Sequence, residues 1–378
     1  MSEYQYYEFR AIDRPLADAD LKRLRAISTR ARITTTSFVN HYEWGDFKGD
    51  PNQFMERYFD LFLYLANWGA RRFSLRLPKR LTDANVLAPF IVDEESGSVR
   101  TAGDYVIADV FREDLDGEDW QDGQGWLDAL APLRADVLEG DLRLFYLVWL
   151  MALETGVVMD EDLEPFAGIA PLTPALEAFA EFFCIDGDLV AAASSASRGH
   201  STIEPPRSAL AAAIDSLGGS EKSALLLRLY DGDPHVRAEL RRRCRPDIAS
   251  SVADRPRRRT AAELRATAER LAEERRRADE KRLERERRRR EQEEAKARRL
   301  RLDALALRRA AAWKEVDDLI ALRNGSAYEK VTVLLGDLRA LALEQDTDDQ
   351  FHQRIIELRD LHRSKPRLIE RLVAAGLI

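Results

Sequence analysis

Hydrophobic and polar residues alternate along the first 110 residues in a pattern that is typical of short strands. Three segments carry most of this signal: the aromatic-rich residues 4–12, the β-branched residues 33–39 and residues 72–77. Further strands are expected near residues 86–92 and 105–111. Because helical stretches separate the strands, the pattern predicts an α/β sandwich, and a ferredoxin-like sandwich is one arrangement that fits.

The third strand and the helix before it make the most specific predictions in this region. An apolar run covers most of the circumference of a helix over residues 51–68, which predicts a deeply packed helix. Strict alternation then follows, with one set of side chains expected to point inward and the other toward solvent. The inward set is Phe73, Leu75 and Leu77, and the outward set is Arg72, Ser74 and Arg76.

From residue 126 onward the periodicity becomes helical. The apolar segment Leu144–Leu153 predicts a buried helix, and its ten residues fall well short of the roughly 20 that a membrane span requires. Residues 256–301 are rich in Arg and Glu at helical neighbour spacing, as in Glu284 and Arg288, and predict one long charged helix. The fold class is therefore α+β and predominantly helical. The predicted parts are an N-terminal α/β domain at 1–113, a helical domain at 126–247, a charged rod at 256–301 and a helical bundle at 302–378.

The charged rod has only a weak coiled-coil pattern. Leu264, Leu271 and Ala278 keep a seven-residue step, but the seam fails between Leu283 and Leu300. A solvated helix whose charges pair within the same chain is the interpretation we favour.

The opening of the chain and its C-terminal helices contain stretches with a recognisable pattern. They are Tyr6-Tyr7-Glu8-Phe9 with Trp44 to Pro51, then Tyr328 to Leu341 and Leu358 to Leu372. The opening stretches resemble an uncharacterised bacterial family, and the C-terminal stretches are similar to the tails of some SWIM zinc-finger-type proteins. The sequence lacks the Cys and His ligands of that zinc finger, so the resemblance implies a modular bacterial protein and no zinc site.

Charge and cysteine content limit the class of protein and the compartment that we expect. The net charge of −8 over 378 residues is uneven, with about −16 before residue 255, about +9 over 255–301 and about −1 after that. The acidic body argues against a protein that wraps nucleic acid as a whole, although residues 255–301 could contact phosphates. Two distant cysteines, Cys184 and Cys244, predict reduced thiols in a cytoplasmic protein that has no signal peptide.

The turn between Trp44 and Pro51 is the main candidate site. Asp46, Lys48 and Asp50 are weak candidates for an acid/base set, but Asp50 as helix N-cap and Pro51 at the first helical position explain the same residues structurally. We favour the structural interpretation and predict neither a metal site nor a cofactor. The aromatic side chains nearby predict a peptide-binding cleft, and they are Trp44, Phe47 and Trp68.

A second candidate is a phosphate-binding patch on the basic runs. It comprises Arg257, Arg258 and Arg259, then Arg287, Arg288, Arg289 and Arg290. The function we predict is a non-enzymatic protein-interaction or scaffold protein whose docking ends are separated by the rod. The alternatives are a nucleic-acid-associated protein that binds through the rod and a hydrolase-like enzyme with its site near Asp46 and Asp50. We expect a protein partner and no membrane association, and the pattern specifies no oligomeric state.

Overall fold

The computed structural model of the chain describes residues 3–113, 115, 122–195, 207–244 and 257–378. The chain forms two compact units, residues 1–275 and residues 276–378. The first unit holds a β-sheet and many helices and the second is helical, so the predicted α+β, predominantly helical class is confirmed. The finer division into four parts stays a prediction.

The sheet of the first unit has seven strands in the order β2-β3-β1-β4-β5-β7-β6, and every paired neighbour is antiparallel. A ferredoxin-like sheet would contain a parallel pair joined by a helix, but here β3 returns beside β1 in the antiparallel sense. The strands are β1 Gln5–Arg10, β2 Arg32–Ile33, β3 Ser37–Tyr42, β4 Leu61–Ala66, β5 Arg71–Pro78, β6 Gly97–Ala102 and β7 Tyr105–Arg112.

Both faces of this sheet are covered. One face presents aliphatic side chains such as Leu63 and Leu75 to the helical segment that follows the sheet. The other face is rich in rings such as Phe9 and Phe62, and it packs against α1 (Asp18–Ile27) and α2 (Pro51–Arg57). The central strands are therefore buried on both sides, which removes solvent contact from residues of either parity.

The prediction of one helix over 51–68 is wrong in its second half. Helix α2 ends at Arg57 and the chain enters β4 at Leu61. The apolar run that looked like an all-round buried helix is a strand with two buried faces, and periodicity does not separate the two. The buried Asp60 fixes the change of direction, because its carboxylate accepts hydrogen bonds from the backbone N–H groups of Ile12 (2.7 Å) and Asp13 (2.9 Å).

The strand expected near 86–92 is also wrong. Asp83 caps a short helix α3, Ala84–Leu87, by accepting from the Asn85 backbone N–H at 3.0 Å. A 3₁₀ turn continues from it over Ala88–Phe90. The strand lies further along as β6, which begins at Gly97.

Helices complete the first unit. The predicted buried helix is confirmed as α6, in which every residue from Leu144 to Leu153 is buried. The helices after the sheet are α4 Trp126–Leu130, α5 Pro132–Leu138, α6 Arg143–Glu154, α7 Pro174–Phe182, α8 Gly187–Ser195, α9 Arg207–Ser216, α10 Gly219–Tyr230 and α11 Val236–Cys244.

The charged segment is one continuous helix, α12 Ala261–Leu307, of 47 residues. At 1.5 Å per residue it is about 70 Å long. A capping box starts it, since Thr260 Oγ1 accepts from the Glu263 N–H while Glu263 accepts from the Thr260 N–H. Its first turns pack in the core of the first unit through Leu264 and the partly buried Leu271. Ala278, the third member of the seven-residue step, is exposed.

The second unit is helical, and it has an apolar core of its own. The buried rings of Trp313, Tyr328 and Phe351 lie in its core. Asn324 caps the helix that begins at Gly325, because its side-chain oxygen accepts a hydrogen bond from the Ala327 N–H at 2.8 Å. None of the described helices in either unit combines the length and apolar composition that a bilayer crossing requires. The helices after α12 are α13 Arg309–Ala321, α14 Gly325–Glu344, α15 Asp348–Leu361 and α16 Pro366–Ala374.

Candidate functional site

The polar residues of the turn after β3, between Trp44 and Pro51, mainly stabilise the local fold. Asp50 caps α2 as predicted, because its Oδ1 accepts from the Asn52 backbone N–H at 2.8 Å and Pro51 occupies the first turn. Asp46 accepts from Gln5 Nε2 at 3.1 Å, and Lys48 is exposed. Among the described residues, no group of three His, Cys, Asp or Glu side chains could hold a metal ion.

The aromatic side chains of the predicted cleft lie in different environments. Phe47 packs into the ring-rich core, with its ring centroid 5.0 Å from that of Tyr7 and 5.2 Å from that of Phe54. Trp44 is 74% exposed, and Trp68, in the turn between β4 and β5, is 48% exposed. Phe47 therefore supports the wall of the neighbouring sheet face, while the two tryptophans lie at the surface.

A pocket of about 560 Å³ opens on the ring-rich face of the sheet, beside the start of α2. The alternation of each strand explains its lining, since the register sets Tyr64 opposite Arg72, Arg72 opposite Phe111, and Ser98 opposite Asp109. The aromatic part of the lining is Tyr7, Phe62, Tyr64 and Phe111. The polar part is Asn52, Arg71, Arg72, Ser98, Arg100, Asp109 and Glu113.

A buried ion pair forms one wall of this pocket. Arg72 donates from Nε and Nη2 to the two oxygens of Asp109, at 2.7 and 2.6 Å. Asp109 is buried and also accepts from the Ser74 hydroxyl, and the Arg72 guanidinium lies over the Phe62 ring. Such a bidentate pair fixes the positions of both charged groups. The carboxylate therefore accepts three hydrogen bonds from its neighbours.

A tyrosine pair continues the lining on the neighbouring strands β4 and β1. The hydroxyls of Tyr7 and Tyr64 both donate to Gln5 Oε1, at 2.7 and 3.2 Å, and Gln5 in turn donates to Asp46. Burial raises the pKa of Tyr7 to about 12, and burial together with the Tyr7 hydroxyl raises the pKa of Tyr64. Both phenols are therefore neutral at physiological pH and act as hydrogen-bond donors, and Asp46 contributes to the site through Gln5.

Arg100 lies on the edge strand β6 and is held loosely. Its Nη1 is 3.1 Å from Glu56 Oε1, and its Nη2 donates to Asn52 Oδ1 at 3.4 Å. The side chains of the Arg100–Glu56 pair are 29% and 41% exposed, so solvent screens their attraction. Arg71 instead donates to the Phe182 backbone carbonyl, and Arg72 pairs with the buried Asp109. Arg100 is thus the arginine of the lining whose ion pair is screened by solvent.

Reasoning from the sequence alone missed Arg72, Arg100 and Asp109. The expectation that Arg72, Ser74 and Arg76 face solvent is wrong, because Ser74 and Arg76 are almost completely buried beneath α2. Arg76 instead pairs with Asp60 at 2.8 Å in the interior. Arg72, Ser74 and Arg76 alternate with apolar residues along β5, and this alternation was the signal for a polar site on the ring-rich face.

The basic runs of the proposed phosphate patch divide into two kinds. Arg259 donates to the carboxylate of the fully buried Glu164, and Arg258 donates to the Glu164 backbone carbonyl. These two side chains anchor the start of α12 to the first unit. Arg257 is 79% exposed and pairs with Glu263, while residues 255 and 256 lie outside the described residues.

The four consecutive arginines of α12 are exposed, and each pairs with a glutamate on the same helix. Arg287 and Arg288 share Glu284, Arg289 pairs with Glu293, and Arg290 pairs with Glu294. The pairing predicted for Glu284 and Arg288 is confirmed. A phosphate that binds here has to compete with these local acids.

No protein-family model, curated protein or solved structure matches this chain. The resemblance of the C-terminal helices to tails of SWIM zinc-finger-type proteins accordingly stays a prediction.

Proposed function

We propose that the protein is a non-enzymatic, cytoplasmic interaction protein that binds a segment of a partner protein in the pocket on the ring-rich sheet face. The observation that carries this proposal is the lining of that pocket, in which four aromatic rings lie beside arginine and asparagine side chains. Aromatic and arginine side chains supply most of the binding energy at protein interfaces. A volume of about 560 Å³ is also within the usual range for ligand sites.

The state of the polar groups supports binding over catalysis. A general base needs a carboxylate or imidazole whose lone pairs are available to the reacting proton. The most buried carboxylate of the pocket, Asp109, already accepts from Arg72 and Ser74. The candidate acids of the neighbouring turn are occupied in a similar way, since Asp46 holds Gln5 and Asp50 caps α2.

The scaffold part of the proposal concerns α12. Its residues 273–301 carry 14 basic and nine acidic side chains, nearly all exposed, and the helix runs from the unit that contains the pocket into the C-terminal bundle. Paired charges at helical spacing keep such a helix soluble without an apolar seam. We propose that the bundle is a second docking end.

Site-specific photo-cross-linking in the source cells tests the proposal. Ser98 lines the pocket, and a photoreactive residue there, Ser98→p-benzoylphenylalanine, is expected to form a covalent adduct with a discrete partner protein. The matched control places the same residue at Arg30, an exposed position on the turn after α1. Adducts of equal yield at both positions, or none at position 98, would contradict a binding role for the pocket.

A further inference from the structure

Strand β6 is an edge of the sheet that lies directly beside the pocket. The opposite edge, β2, is only two residues long, whereas β6 runs for six residues over Gly97–Ala102. Within the described residues, the backbone hydrogen bonds of β6 run to β7, and none runs from its outer side to another segment. A strand edge of this length is a template for pairing with a further strand.

The side chains of β6 couple that edge to the pocket. Ser98 and Arg100 line the pocket, while Val99, of the opposite parity, packs against the helical core. A strand added beside β6 would follow the same alternation, so every second side chain would lie over the pocket. Main-chain hydrogen bonds would then provide affinity, and the pocket would select the side chains.

The charges around the pocket indicate which side chain of an added strand would bind there. Arg72 is neutralised by a buried partner, Asp109, whereas Arg100 has only the exposed Glu56 and a long hydrogen bond to Asn52. Arg100 also lies on the edge strand itself, next to the position of an added strand. An acidic side chain there would gain a charge-assisted hydrogen bond at the cost of a weak surface pair.

We propose that an extended segment of the partner protein adds to β6 as an eighth strand and places a Glu or Asp carboxylate against Arg100. This inference rests on the proposed function and specifies how the same pocket selects its partner. A second copy of the chain is the less suitable occupant, because a two-fold pairing centred on Arg100 sets two guanidinium groups opposite each other.

Fluorescence anisotropy with the full chain tests the charge requirement. The probes are three labelled peptides: Thr-Glu-Val-Glu-Val-Glu-Thr and its counterparts with Gln or Lys in place of each Glu. We expect the acidic peptide to bind most tightly and R100Q to weaken it about tenfold, the loss of one charge-assisted hydrogen bond. The exposed control R30Q should leave binding unchanged. Equal binding of all three peptides, or an R100Q effect no larger than that of R30Q, overturns the role of Arg100.

Backbone methylation tests strand addition itself. In an added strand, the N–H groups that point toward β6 belong to every second residue. In the acidic peptide, the three Glu residues and the two Val residues alternate, so only one of these sets points its N–H groups toward β6. N-methylation of that set should abolish binding, and N-methylation of the other set should leave binding intact. Binding that survives both sets overturns strand addition.

Two further outcomes separate this inference from the proposed function. A partner that cross-links at position 98 while none of the three peptides binds overturns strand addition by an acidic segment and leaves the proposed function standing. Sedimentation velocity can also reveal a dimer of the chain. If R100Q strengthens that dimer and the dimer excludes the acidic peptide, a second copy occupies the β6 edge and the inference is overturned.

Discussion

The contact between Glu164 and Arg259 is expected to dominate the stability of the start of α12. The Glu164 side chain has no exposed surface, and the Arg259 side chain is 14% exposed. Arg259 donates from Nε and Nη2 to this carboxylate, and its guanidinium also reaches the carbonyls of Ala192 and Ala193 at the end of α8. One side chain therefore ties together three segments.

Removal of the guanidinium in R259M would leave the Glu164 carboxylate with the Tyr146 hydroxyl and one backbone N–H. Loss of one partner of a buried ion pair costs about 3–5 kcal/mol, because the remaining charge stays desolvated. This corresponds to an increase of about 10²–10⁴-fold in the population of molecules in which the start of α12 is locally unfolded. The double variant R259M/E164Q should recover part of the loss, because it removes the stranded charge.

Native-state hydrogen exchange is the appropriate assay, because two units need not unfold together. The amides of the first turns of α12 should lose about 10²–10⁴-fold of protection in R259M. The matched control is R257M, which breaks the exposed pair with Glu263 and should cost less than about 0.5 kcal/mol. If R259M and R257M lower protection equally, the buried pair does not anchor the helix and the reasoning is refuted.

Three further predictions concern other parts of the chain. Asp50→Ala should destabilise the first unit by about 1 kcal/mol, seen as a lower Tm, while the capping-competent Asp50→Asn should keep most of that stability. The Arg80 guanidinium, opposed by partial burial, lowers the pKa of Asp233. The ionised carboxylate of Asp233 therefore stabilises the fold at a pH above its unfolded pKa of about 4, and this stabilisation is lost as the pH falls below that pKa. When the free energy of unfolding is measured against pH, R80Q should lose less stability on acidification than the unchanged protein. Changing Arg287–Arg290 to Gln should alter DNA binding at 150 mM salt by less than threefold, because local acids already pair with these side chains; a larger loss in a filter-binding assay would favour the nucleic-acid alternative.

Elements with a single dominant period were predictable from the sequence. The capped start of α2, the buried helix α6 and the charged helix α12 follow from local signals that lie within a few residues of one another. Strand β4 was not predictable in this way. It is buried on both faces, so its apolar run carries no period-two signal.

The candidate site depended on information that no local pattern contains. Arg72 and Asp109 are 37 residues apart and meet only through the register of β5 and β7. Glu164 and Arg259 are 95 residues apart, and Arg259 lies in a basic run that looked like solvent-exposed surface. Local sequence places charges on elements, but long-range pairing decides which of them become buried.

The sorting of side chains along β4 has a consequence for how this protein can change over evolution. Leucines of one parity, such as Leu63, pack against the helices, and rings of the other parity, Phe62 and Tyr64, line the pocket. Substitutions at the ring positions can therefore alter what the surface recognises without disturbing the aliphatic interior. A single-residue insertion has the opposite effect, since it exchanges the two sets at once. The strand can thus vary in identity at Tyr64, whereas Phe62, which stacks on Phe9 in the ring-rich core, and the length of the strand should stay invariant.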